Sequence, residues 1–248
     1  MFLKAENLFV LDRVDSTNNY AMAMIQKGNA KDRTAVFAME QTNGRGRRGR
    51  RWSSNKGDNI ILSISQQMQW MPISQQFQLS VSVALGCFDL VSKYAPGIVS
   101  VKWPNDIFIN DTKAGGILIE NTIKGTLWQW AVIGIGLNVN QIHFESPNLN
   151  ATSLSIATKK TYEVLPLAEE LYLFVLNRID ELKAGAFLGL LETYNQHLFG
   201  KGRIVKLKKQ DEIFETKIIG VSASGQLITH NDAEMGFNFD EVEFKGLL

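Results

Sequence analysis

The chain has 248 residues, 45% hydrophobic and 21% charged, with a formal net charge of +1. That is ample apolar material for one large core, and too little excess charge for a protein that coats nucleic acid with a broad basic face. A single cysteine, Cys87, excludes an intramolecular disulfide, and no signal peptide or membrane-spanning apolar run is visible, so a reducing, cytoplasmic setting away from membranes is expected.

The residues before Asp15 leave room for at most one strand. VDSTNNYAMAMIQKG then predicts a short helix, capped by Asp15 or Ser16 and ended at Gly28. TAVFAMEQ (34–41) and NIILSISQ (59–66) read as strands. Between them, GRGRRGRRW (44–52) sets five arginines and three glycines ahead of a tryptophan, with no acid among them. Residues 74–95 carry Phe77, Val81, Leu85, Phe88 and Val91 at helical spacing, a core-facing stripe that Pro96-Gly97 ends. IVSVKW, DIFIN, AGGILIEN and TLWQWAVIGIGLNV follow as strands, with tight turns at 110–113 and 122–125. Helices are expected at 164–183 and 187–199. From Gly200 only short strands remain: RIVKLKK, IFETKIIG, GQLITH and FNFDEVEF. Gly200-Lys201-Gly202 therefore divides a main domain, 1–199, from a small β domain, 200–248.

The arginine loop asks for an anion. Guanidinium groups on a glycine-rich backbone suit phosphate or carboxylate, and charge this local favours a small ligand over a long polyanion. The other class open to such a segment is an RNA-binding module, usually disordered; a position between two strands argues against it. KWPND (102–106) taken alone suits a turn. GIGLN lacks the GxGxxG spacing and no helix pattern follows, so it is not a dinucleotide fingerprint. His143, His197 and His230 lie outside every motif, which weighs against a histidine-dependent hydrolase.

In order, DSTN (15–18), QTNGRGRRGR (41–50) with Trp52, KWPND, KAGGILIE (113–120) and GIGLNVN (134–140) resemble the motifs of biotin–protein ligases. The resemblance implies an α+β fold of the class II aminoacyl-tRNA synthetase/biotin synthetase-like type. Such a fold has a mixed, largely antiparallel central sheet flanked by helices, plus a small C-terminal SH3-like β-barrel. It implies ATP and biotin as substrates with Mg²⁺, biotinyl-5′-AMP as intermediate, and a biotin carboxyl carrier domain as the protein that receives biotin on a lysine. With no room before DSTN for a DNA-binding domain, a ligase that does not bind DNA is expected. Oligomeric state is left open, a homodimer included.

The same resemblance suggests site residues. Lys113 and Arg47 would carry the chemistry by offsetting charge as two anions meet. Biotin would contact Ser16, Thr17, Asn18, Gln41, Gly44, Arg45, Arg47, Lys113, Gly115, Gly116 and Gly134. ATP and the adenylate would contact Arg48, Arg50, Lys102, Asn105 and Asn138, with Trp52 stacked on adenine. Asp106 would help hold Mg²⁺. A lipoate or octanoate ligase or transferase is the alternative within the same superfamily.

Overall fold

A computed structural model describes residues 8–144 and 150–247. A seven-stranded sheet forms from β1 (Leu8–Val14), β2 (Thr34–Gln41), β3 (Asn59–Gln67), β4 (Val99–Lys102), β5 (Asp106–Ile109), β6 (Thr112–Lys124) and β7 (Leu127–Asn138). Its order is β1-β2-β3-β7-β6-β5-β4. Only β1 and β2 run parallel, joined across α1 (Thr17–Gln26); the other pairs are antiparallel. The expected mixed, largely antiparallel sheet is thus present.

Side-chain alternation gives this sheet two unlike faces. On one face Ala35, Phe37, Ile60, Leu62, Ile64, Ile133 and Ile135 join the main core, with α2 (Gln76–Tyr94) and α4 (Val164–Lys183) supplying the other half. The α2 stripe behaves as expected: Phe77, Val81, Leu85 and Val91 are buried, while Phe88 is partly buried and stacks on His197. On the opposite face, α1 makes a separate small cluster in which Ala21 and Met24 meet Val36 and Val132. Ser16 caps α1, its hydroxyl accepting from the Asn19 N–H, and Gly28 turns the chain away at φ +70°.

Several boundaries differ from the sequence expectation. β6 runs on to Lys124, so the turn after it starts at Gly125. α5 (Phe187–Gln196) stops before residue 199 because the chain leaves it to bridge β4: Val101 N–H donates to His197 O and Phe199 N–H to Val101 O. A short helix, α3 (Leu154–Thr158), capped by Ser153, was not anticipated.

The last part of the chain forms a second, antiparallel sheet: β8 (Ile204–Lys209), β9 (Glu212–Val221), β10 (Leu227–Asn231), β11 (Ala233–Phe237) and β12 (Glu243–Leu247). The order β11-β10-β9-β8-β12 leaves β11 and β12 unpaired with each other, so among the described residues it is an open sheet, not a closed barrel. FNFDEVEF is not one strand. A turn interrupts it at Asn238–Glu241, where Asn238 N–H donates to the Glu241 carboxylate and Glu241 N–H to Asn238 O. This sheet packs on the main one through Trp103, whose indole N–H donates to Gly225 O (3.0 Å), and through Phe239, whose ring sits 5.5 Å from Trp103 and 6.0 Å from Phe77. Among the described residues, no helix is long and apolar enough to cross a membrane.

Candidate active site

The face of the large sheet that carries α1 has small and polar residues where the other face has bulk. In register across β3, β7 and β6 lie Ser63, Gly134 and Leu118; the next row is Ile61, Gly136 and Gly116, continued by Asp106 of β5. With few side chains to fill it, this floor lies under a cleft of about 780 Å³, walled by α1, the arginine loop, the β4–β5 turn and the 239–246 segment of the second sheet.

One end of the cleft is neutral and rich in hydrogen bonds. Gln41 Oε1 accepts from the Thr17 N–H (2.7 Å) and hydroxyl (3.1 Å). The buried Ser63 hydroxyl lies 2.7 Å from Thr17 Oγ1 and 2.6 Å from Asn18 Oδ1. Asn18 Nδ2 donates to Glu120 (2.8 Å), which also accepts from Arg45 (2.8 Å). Gly134 is required here by Asn18: a Cβ on it would meet Asn18 Oδ1 at 2.4 Å.

The other end is cationic. The loop is a tight hairpin in which Gly46 N–H donates to Arg50 O (2.7 Å) and Trp52 N–H to Gly44 O (2.9 Å). A 3-10 turn at Arg47–Gly49 forms its tip, with Arg48 and Gly49 at positive φ. Its arginines would repel one another, and acids distant in sequence offset this. Arg48 pairs with Asp240 (2.6 Å) and reaches Glu243 (3.8 Å), while Arg45 pairs with Glu120. Arg47 lies over the Phe239 ring (5.4 Å) and reaches Asn105 Oδ1 (3.4 Å) and Asp240 (3.9 Å). Burial pulls the Arg47 guanidinium below its ordinary range, against the opposing pull of Asp240, yet an arginine stays charged.

Lys102 stands among three aromatic rings, 4.7 Å from Phe108, 5.5 Å from Phe199 and 4.7 Å from Phe244. Burial lowers its pKa; Asp106 opposes, and Lys113 and Arg50 add to the lowering. A buried ammonium beside other cations is a site that an anion relieves. Lys113 is held by a backbone bridge to Ala151 and its ammonium pairs with Asp106 at 2.6 Å. The pair lies over Gly116, where a Cβ would be in ordinary contact with Lys113 Nζ (3.4 Å) and Asp106 Oδ1 (3.5 Å).

The structure brings together Ser16, Thr17, Asn18, Gln41, Arg45, Arg47, Arg48, Arg50, Trp52, Lys102, Asn105, Asp106, Lys113, Gly116, Gly134 and Asn138 around the one cleft. Gly44 and Gly115 are not in its lining. Gly44 lies under the Trp52 carbonyl at the loop base, and Gly115 is crowded by Gly136 O and Leu137. Asn138 and Asn105 also have structural duties, donating to Thr152 O (2.9 Å) and Ile117 O (2.8 Å). The Trp52 ring covers Gly136, where a Cβ would meet it at 2.5 Å, and its indole N–H is buried with no partner among the described residues. Asp106 is already paired with Lys113, and among the described residues no group of three histidines, cysteines or acids could hold a metal. Any Mg²⁺ at Asp106 would depend on the phosphates of a bound nucleotide for its other oxygens.

Sequence reasoning missed Ser63, Glu120, Phe239, Asp240, Glu243 and Phe244. The available signal was the interleaving of aromatic and acidic residues in FNFDEVEF, the complement of an arginine loop that has no acid of its own.

The profile of the biotin/lipoate A/B protein ligase family matches residues 10–138. The bifunctional ligase/repressor BirA of Bacillus subtilis is 28% identical over 226 residues, 90% of this chain and 69% of that protein. The biotin–[acetyl-CoA-carboxylase] ligase of Mycobacterium tuberculosis is 34% identical over 150 residues, 59% of this chain and 54% of that protein. The biotin protein ligase of Aquifex aeolicus, solved in complex with biotin and ATP, superposes with a TM-score of 0.82 at 25% identity, covering 97% of this chain and 99% of that one. A neutral pocket joined to a cationic one on a shared sheet face, together with these matches, places the chain in the biotin/lipoate A/B protein ligase family.

Proposed function

We propose that the chain is an ATP-dependent biotin–protein ligase. The observation that carries this reading is the polarity of the cleft. A hydrogen-bonding end at Thr17, Asn18 and Gln41 runs into a cationic end at Arg47, Lys102 and Lys113, as suits a ligand with an uncharged polar head and a carboxylate tail. The carboxylate oxygen attacks the α-phosphorus of ATP and pyrophosphate leaves, giving biotinyl-5′-AMP. A lysine amine of a biotin carboxyl carrier domain then attacks the acyl carbon, AMP leaves, and the amine loses its proton. The carboxylate is already ionised near neutral pH, so the first step needs no strong base.

In this reading Lys113 and Arg47 offset charge as the carboxylate nears the phosphate, and Lys102 holds phosphate oxygens at the far end. Trp52 walls the cleft. Residues 200–248 act as a separate small domain that closes the nucleotide end, and the protein works in the cytoplasm. RNA binding through the loop is disfavoured because Arg45 and Arg48 already pair with acids of the same chain.

The test is mass spectrometry of the protein incubated with ATP and either biotin, lipoate or octanoate, followed by addition of a carrier domain. Retained biotinyl-AMP and a biotinylated carrier are expected. An adenylate formed only from lipoate or octanoate would move the assignment to the other branch of the family.

A further inference from the structure

The base of the arginine loop is tied to the first turn of α1 by a closed circuit of side chains. Gln41, where the loop begins, accepts from the Thr17 N–H; the Thr17 hydroxyl is hydrogen-bonded to Ser63, whose own hydroxyl donates to Asn18 Oδ1; Asn18 donates to Glu120; and Glu120 accepts from Arg45, back in the loop. The last two bonds converge on one atom, Glu120 Oε2, at 2.8 Å each. Glu120 stands on β6, paired in register with Val132 of β7, whereas Arg45 is on the loop and 41% exposed. Asn18 has little freedom, since it fills the space that a Cβ at Gly134 would occupy.

We propose that Glu120 is a positioning residue that couples the neutral end of the cleft to the arginine loop, so that a ligand settling against Thr17 and Asn18 also fixes Arg45. This rests on the biotin-ligase reading for the identity of the ligand. An acid this close to a cleft that takes an anion is unfavourable unless a cation neutralises it. Arg45 does so, which makes Arg45 a strut for the loop more than a phosphate ligand. A carboxylate holds both neighbours best, because its charge strengthens both bonds. A glutamine there could still accept through its one amide oxygen, but the Arg45 contact would fall from an ion pair to a neutral hydrogen bond, and an aspartate is one methylene short of reaching both.

The experiment uses the full chain and begins with the wild type, in which formation of biotinyl-AMP is read first; its absence defeats the ligase reading alone. Steady-state kinetics and limited trypsinolysis within residues 45–51 are then compared for Glu120→Gln and the wild type. In the wild type, saturating biotin without ATP slows loop cleavage. In Glu120→Gln the KM for biotin rises about tenfold, the scale of one charge-assisted hydrogen bond, while the KM for ATP stays within about twofold. Biotin at saturation no longer slows cleavage in the variant. Arg45→Gln, on an exposed side chain, cuts the same link from the other side and keeps the test open if Glu120→Gln does not fold. The double variant is no worse than the poorer single one. The proposal is overturned if biotin fails to protect the wild-type loop, if it still protects the loop of either variant, if both KM values rise together, or if the two substitutions add.

Discussion

At the scale of single residues, the sharpest expectation concerns Lys113. Its backbone is fixed on both sides, with its N–H donating to Asn150 O (2.9 Å) and its carbonyl accepting from the Thr152 N–H (2.8 Å). The ammonium sits beside Asp106 and over Gly116. Lys113→Ala should slow single-turnover biotinyl-AMP formation by about a hundredfold or more, the scale of one lost charge-stabilising group, with biotin affinity by calorimetry much less affected. Lys113→Arg should restore little, because a planar fork cannot place its charge where the compact ammonium meets Asp106. Adenylate formation at the wild-type rate in the alanine variant would end this assignment. Gly136 gives a second expectation. Gly136→Ala would drive a methyl into the Trp52 ring, costing roughly 1–3 kcal/mol by overpacking. Thermal melting should show the loss and tryptophan emission should shift; an unchanged melt and spectrum would mean that Trp52 does not rest there. Sequence motifs located both glycines but not their purpose. Gly134 accommodates Asn18 and Gly136 accommodates Trp52, and such contacts between residues far apart in the chain leave no local pattern.

At the scale of elements, the strands and long helices were legible because each has one dominant period. Ala35 and Phe37 alternate with Val36 in β2, and α2 repeats its apolar stripe every three to four residues. The elements misjudged were those whose limits depend on distant partners. α5 ends where β4 captures the chain, and the turn at Asn238–Glu241 exists to present Phe239 and Asp240 to the arginine loop. That loop was read as an anion site, and its arginines do line the cleft, but the acids that anchor it lie far along the chain. The Arg48–Asp240 pair is well exposed, so it contributes at most about 1 kcal/mol to stability. Its effect should be local. Asp240→Asn should leave the melting temperature nearly unchanged while speeding tryptic cleavage at Arg47 and Arg48, as followed by mass spectrometry. Cleavage at the wild-type rate would show that Asp240 does not restrain the hairpin.

At the scale of the whole molecule, the second sheet is part of the active cleft. It covers Trp103, only 2% exposed, supplies Phe239 over Arg47, and puts Phe244 against Lys102. Asn195 of α5 ties the two parts further, donating to Val221 O (2.9 Å) and accepting from its N–H (2.7 Å). Ending the chain after Gly202 should therefore lower the melting temperature of what remains and raise the KM for ATP more than that for biotin, since the lost residues border the cationic end. Equal effects on both substrates would show that the second sheet supports the fold without shaping the nucleotide site. The sequence revealed this sheet as a change in texture at Gly200, and small size alone suggested that it must lean on the main domain.

Arg48 and Asp240 lie 192 positions apart. During synthesis the ribosome delivers the large sheet, with its arginine hairpin, long before the carboxylate and rings that complete the cleft. In that interval Trp103 and Phe77 lack their cover from the second sheet and Arg48 lacks its counterion there, so the nascent chain exposes an apolar surface beside a basic hairpin. The cleft is walled on its cationic side only once the last strands have docked, so full nucleotide binding is expected to come late in the life of each molecule.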